Sequence, residues 1–128
     1  MSEKSSVARD ELPVEELGDY SGHMGQLGPY TVNFESMPAH FGGQEFFRGL
    51  PDDACQCEHW GYVFKGRVKI TYTDGSEEVI NAGEAYYLRP GHVGESLEET
   101  ETVEFSPTAE WEHTMEQVGK NIEQMSRA

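Results

Sequence analysis

The sequence predicts a mainly β protein, a single antiparallel β-barrel or jelly roll followed by one C-terminal α-helix, and three observations carry that prediction. Short apolar–polar alternations recur along the middle of the chain, turn signals built from Gly, Asp and Pro separate them, and only the end of the chain changes to a helical spacing. Composition agrees. With 128 residues, 36% of them apolar and 14 of them Gly, the chain suits one domain of short strands and tight turns.

Residues 1–27 are polar and acidic, interrupted by Gly18, Gly22 and Gly25, with no clear period. They read as a flexible arm, ordered in part where Leu12, Val14 and Leu17 find apolar cover. The barrel is expected over 28–107. Tyr30, Val32 and Phe34 alternate with Thr31, Asn33 and Glu35, a period of two. Residues 44–50 read as a second strand before a Pro51-Asp52-Asp53 turn. Strands follow at 59–64, 67–73, 77–80, 85–88 and 102–105. Their turns are Lys65-Gly66, the hairpin signal Asp74-Gly75, Asn81-Ala82-Gly83 and Pro90-Gly91. The helix is expected over 108–128, with Ser106 as N-cap and Pro107 in its first turn. Trp111, Met115, Val118, Ile122 and Met125 form a narrow apolar stripe on it. That stripe suits packing on the chain's own barrel, or a heptad-like seam against a second copy in a homodimer.

The formal charge is −15 at neutral pH. Such a surface repels a phosphate backbone and an anionic bilayer, so nucleic acid and membrane are excluded as expected partners. The charge serves solubility and also draws in cations, metal ions included. No apolar run reaches a membrane span, and MSEKSSVARDELPVEE lacks the apolar core of a secretory signal. A cytoplasmic location with reduced cysteines is the resulting expectation.

Chemistry concentrates in Cys55-Gln56-Cys57-Glu58-His59-Trp60-Gly61-Tyr62. On an extended chain Cys55, Cys57 and His59 share one face, and Trp60, Tyr62 and Phe64 the other. His92 follows Pro90-Gly91 at a turn, where a side chain can aim at a barrel mouth. Thiolate and imidazole favour Zn²⁺ or Fe(II) over Mg²⁺ or Ca²⁺. Straight-strand spacing puts Cys57 about 6.6 Å from His59 and Cys55 about 13 Å away, which favours Cys57 as ligand. Arg48 and Arg89 could orient a carboxylate, and Tyr62, with Trp60, Tyr86 and Tyr87, supplies aromatic surface. His23, His40 and His113 are assigned no site role. Beyond His92 and Glu95, no general acid or base stands out.

The run from Gly61-Tyr62-Val63 to Gly66, together with Gly83-Glu84 and Arg89-Pro90-Gly91, resembles the two motif frames of the cupins. The resemblance covers roughly Tyr30 to Pro107. Gly66 matches the closing Gly of the first motif; counting back places the motif's Glu at His59 and its two His at Cys55 and Asp53. The His of the second motif falls on Gly94, with His92 two residues earlier. The family's bend in this region favours Cys55 over Cys57, so both stay open.

The resemblance implies a cupin barrel and a menu of metal-dependent oxygenases, isomerases and lyases. The expected function is a small cupin holding a divalent metal, zinc or iron, through Cys55 or Cys57, His59 and His92, acting on a small organic molecule. The alternatives are a small-molecule-binding module without catalysis, with or without metal, and a structural dimer in which the helix matters most.

Overall fold

A computed structural model of the chain describes residues 5–127. Among these residues nine strands precede one long helix: β1 (Val14–Leu17), β2 (Tyr20–Leu27), β3 (Tyr30–Met37), β4 (His59–Lys65), β5 (Arg67–Tyr72), β6 (Glu77–Asn81), β7 (Ala85–Leu88), β8 (His92–Ser96), β9 (Thr100–Pro107) and α1 (Thr108–Arg127). They form two antiparallel sheets, one six-stranded in the order β1-β2-β3-β9-β4-β7 and one three-stranded in the order β6-β5-β8. The core of Val63, Ile70, Tyr72, Ile80 and Leu88 draws on both sheets. No described helix is long and apolar enough to cross a membrane.

The barrel strands and hairpins lie close to the expected positions, because alternation and turn residues agree there. Four elements differ, one of them β8, which has no counterpart among the expected strands. The segment read as a flexible arm supplies β1 and β2, with Val14 opposite His23 and Leu17 opposite Tyr20. Its period is hidden by glycines that stand where a neighbouring side chain takes the space; a Cβ on Gly25 would lie 2.7 Å from Leu12 Cδ2.

Residues 44–50 are not a strand. Gln44–Phe47 and Pro51–Asp53 are short 3-10 turns. The carbonyls that a ladder would use are taken by α1: Asn121 Nδ2 donates to Phe46 O at 2.9 Å and to Arg48 O at 2.8 Å.

The helix starts at Thr108, where it is expected, but its cap signals serve otherwise. β9 runs through Pro107, which pairs with Tyr30, and α1 begins at Thr108. Ser106 is buried inside instead of capping. Thr114, Val118 and Asn121 are the buried residues of α1, so the helix packs on its own chain, while Met125 at the end of the apolar stripe is exposed.

Candidate metal centre

Cys55, His59 and His92 come together although no regular strand joins the first two. The chain bends at Cys57 and enters β4 only at His59. Cys55 itself pairs with the first residue of β8: its N–H donates to His92 O at 2.9 Å, and the Gly91 N–H donates to Cys55 O at 2.8 Å. The sequence treats His92 as a turn residue; it is the buried opening residue of a strand that Gly94 and the polar run HVGES conceal. One ligand atom from each of the three residues lies within 4.8 Å of the others.

Each imidazole is held from behind by a hydrogen bond to Nδ1. His92 Nδ1 is 2.7 Å from Arg89 O. A carbonyl only accepts, so that nitrogen carries the proton and Nε2 keeps its lone pair. His59 Nδ1 is 2.7 Å from Ser106 Oγ and 3.4 Å from Glu104 Oε2. A serine hydroxyl serves either tautomer, and the Glu104 carboxylate favours the proton on Nδ1, which leaves the lone pair of His59 Nε2 facing Cys55 Sγ, 3.4 Å away.

Burial holds the His59 imidazole down to about 4, and burial followed by the neighbouring His59 does the same for His92. Both rings are therefore neutral, ligand-ready bases at physiological pH. Burial pushes the Cys55 thiol up to about 12, so it sits as a neutral thiol until something replaces its proton.

The donor set fits a metal. Tetrahedral Zn²⁺ with Zn–S of about 2.3 Å and Zn–N of about 2.05 Å requires S···N separations of about 3.6 Å. The Cys55–His59 distance of 3.4 Å matches this.

The other sequence-derived candidates lie elsewhere. Cys57 is outside the group, its Sγ 3.4 Å from Glu58 O. Straight-strand spacing pointed to Cys57 because it did not contain the bend. Tyr62 alternates outward with Trp60 and Phe64, and all three are exposed. Arg89 stacks its guanidinium 3.5 Å from the centre of the Tyr72 ring and pairs with Asp74 on the surface. Arg48 is exposed at the end of a 3-10 turn and is used through its carbonyl. None of Arg48, Tyr62 and Arg89 lines the cavity.

That cavity, of about 500 Å³, has Cys55, His59 and His92 in its wall. Ile70, Leu88, Phe41 and the Trp111 and Met115 of α1 supply apolar surface. Glu95 also reaches it.

Sequence reasoning missed Glu35 and Glu104, two inward carboxylates on β3 and β9. Tyr20 OH donates to Glu35 Oε2 and Tyr86 OH donates to Glu104 Oε1, each at 2.8 Å. Burial, then the Glu104 charge, pushes the Glu35 carboxyl upward, and burial does the same for Glu104. The missed signal was positional: in the alternation over 30–35, Glu35 falls on the same face as Asn33, which is the interior.

No protein-family model and no curated protein matches the chain. Solved structures do. An RmlC-like cupin from Shewanella frigidimarina superposes with a TM-score of 0.55 at 18% identity, over 83% of this chain and 92% of that one. A point variant of oxalate decarboxylase from Bacillus subtilis gives 0.56 at 12% identity, over 84% of this chain and 30% of that one. HppE with Fe(II) gives 0.54 at 10% identity, over 78% of this chain and 58% of that one.

The chain has the cupin fold.

At these identities the likeness carries the architecture and not the chemistry. The cupin frame does account for the placement of the centre: β4, β8 and the bend before β4 bring their side chains to one interior point.

Proposed function

We propose that this cupin-fold chain binds a divalent metal, zinc or ferrous iron, through Cys55 Sγ, His59 Nε2 and His92 Nε2, and acts on a small organic molecule held in the adjoining cavity. The observation that supports this most directly is the mutual approach of three ligand atoms within 4.8 Å in a cavity wall. Soft thiolate with two imidazoles suits zinc or iron and not magnesium or calcium. A bound ion would supply Lewis-acid polarisation or, as ferrous iron, redox chemistry, and the cupin resemblance suggests the oxygenase, isomerase or lyase classes.

The protein's own contribution is legible in its hydrogen bonds. Arg89 O and Ser106 Oγ fix the rings, and such partners tune a metal site as its ligands do. Ile70, Leu88 and Phe41 give the cavity apolar wall, and Glu104 Oε2 stands 3.4 Å from His59 Nδ1.

Elemental analysis of the purified protein tests the reading. About one ion per chain is expected for a single site. Cys55→Ala and His92→Ala should each reduce occupancy about tenfold or more, while Cys57→Ala leaves it unchanged. Occupancy far below one after metal add-back, or equal loss in Cys57→Ala, would overturn it.

A further inference from the structure

The cavity wall offers hydrogen-bond acceptors and no cation. Among the described residues that line it there is no Lys and no Arg, whereas Glu35, Glu104 and Asn33 all reach it. The three are neighbours on one sheet face. Asn33 on β3 stands directly opposite Glu104 on β9, and Glu35 is the next inward residue of β3. Cross-strand partners of this kind bring their side chains within reach of one another.

The hydroxyls that serve this group already donate. Tyr20 gives its proton to Glu35 and Tyr86 gives its proton to Glu104. Because Tyr20 OH donates to Glu35, it is left to accept, and Asn33 Nδ2 approaches it at 3.5 Å. That choice orients the Asn33 amide and leaves its Oδ1 as an acceptor. Asn33 is 8% exposed, and Oδ1 finds no donor among the described residues. A buried acceptor without a donor carries a cost that a ligand can remove.

Two glycines make room for the arrangement. A Cβ on Gly22 would meet Tyr20 Oη at 2.7 Å and Asn33 Oδ1 at 2.9 Å. A Cβ on Gly61 would meet the Oη of Tyr86 at 2.5 Å. Each tyrosine reaches its carboxylate by lying over a residue that has no side chain.

The geometry points to a small organic cation as the ligand class of this cavity: a primary ammonium on an apolar body, its N–H groups given to Glu35, Glu104 and Asn33 Oδ1. An ammonium has three donors and no acceptor, the complement of this wall. The apolar body lies against Ile70, Phe41 and Met115. Carboxylate and phosphate ligands find no counter-charge in the protein wall. Buried beside Glu104 with no cation in that wall among the described residues, Glu35 keeps its proton to higher pH, and an ammonium would supply the positive partner that lets it ionise and accept. This inference deepens the proposed function by naming what the cavity holds, and it rests on that cavity being the binding site but not on the metal.

The test is calorimetric titration with three probes of one shape, benzylammonium, benzyl alcohol and benzoate, with and without chelator. Benzylammonium should bind at least tenfold more tightly than the alcohol, and benzoate should bind no better than the alcohol in the presence of chelator. The ammonium preference should fall about tenfold in Glu35→Gln and in Glu104→Gln, each checked for an intact thermal transition, and should survive in Cys55→Ala. Undetectable benzylammonium binding at millimolar concentration, equal binding of alcohol and ammonium, or a preference that persists in both Gln variants would overturn the inference. An absence of metal in the purified protein would count against the metal reading alone, because the chelator titrations do not use it.

Discussion

Cys55 Sγ lies 3.4 Å from His59 Nε2, although four positions separate the two residues along the chain. An extended strand would hold them about 13 Å apart. The turn at Cys57 removes that distance, and the backbone pairing of Cys55 with His92 pins the result. The ring of His59 is held from its far side by Ser106 Oγ at 2.7 Å. Ser106→Ala should therefore leave all three ligands in place yet weaken metal binding by about 10- to 100-fold, as loss of an outer partner does. Competition against a chromogenic chelator measures this; an unchanged affinity would show that His59 is oriented by packing or by Glu104.

Proton release is the second expectation. The Cys55 thiol is pushed up to about 12 by burial, while both imidazoles are held down to about 4. Between about pH 6 and pH 9 the free site thus carries one removable proton, on sulfur, and binding a metal ejects it. The logarithm of the apparent affinity should rise by about one per pH unit over that range, and titration in two buffers of different ionisation enthalpy should count one proton. A flat profile would mean that the thiol is not a ligand.

Much of the architecture was legible in the sequence and part of the site was not, for a common reason. Alternation is readable where every second residue has a side chain to show, as in Tyr30–Met37 and Arg67–Tyr72. It fails in β2, where Gly22 and Gly25 stand under Tyr20 and Leu12, so side chains packed over the glycines write over the local pattern. The same effect hid the carboxylates. Glu35 and Glu104 look like solvent-facing charges in an acidic chain, and the sheet register with the tyrosines above Gly22 and Gly61 places them inside. His59, His92 and Cys55 were readable as residue types. The bend that separates Cys55 from Cys57 was not, because no local signal at 55–58 tells a strand from a turn.

Glu35 should cost the fold stability at alkaline pH. Its carboxyl is raised in the folded protein, chiefly by burial and then by Glu104. The folded chain therefore keeps a proton that the unfolded chain has released. Stability from this group is complete below the ordinary carboxylate range and is lost as pH rises through the folded value. Glu35→Gln keeps the shape and an acceptor for Tyr20 while removing the ionisation. It should stabilise the protein by about 1 kcal/mol or more at pH 8.5 and by almost nothing at pH 4. Urea unfolding at the two pH values decides it; a gain independent of pH, or a loss at pH 8.5, would show that Glu35 ionises freely.

Asn121 is the tether that places α1 over the cavity, and its chemistry gives an ordering of variants. Its Nδ2 donates to Phe46 O and Arg48 O, while its Oδ1 accepts from Gln117 Nε2 at 3.1 Å. Removing the amide in Asn121→Ala leaves the Phe46 carbonyl without this donor and Arg48 O with only the 3.2 Å contact from Gln117, a loss of about 2 kcal/mol. Asn121→Asp nearly preserves volume but turns two donated hydrogen bonds into oxygen facing oxygen. Its carboxylate is buried against those two carbonyl oxygens, so it should be worse than Ala, by about a further 1 kcal/mol. If cavity shape alone mattered, Asp would be the milder change. The urea midpoint should fall in the order Asn, Ala, Asp with an unchanged slope. Because Trp111 and Met115 of the same helix line the cavity, benzylammonium binding should weaken in the same order, tying the position of α1 to what the cavity holds.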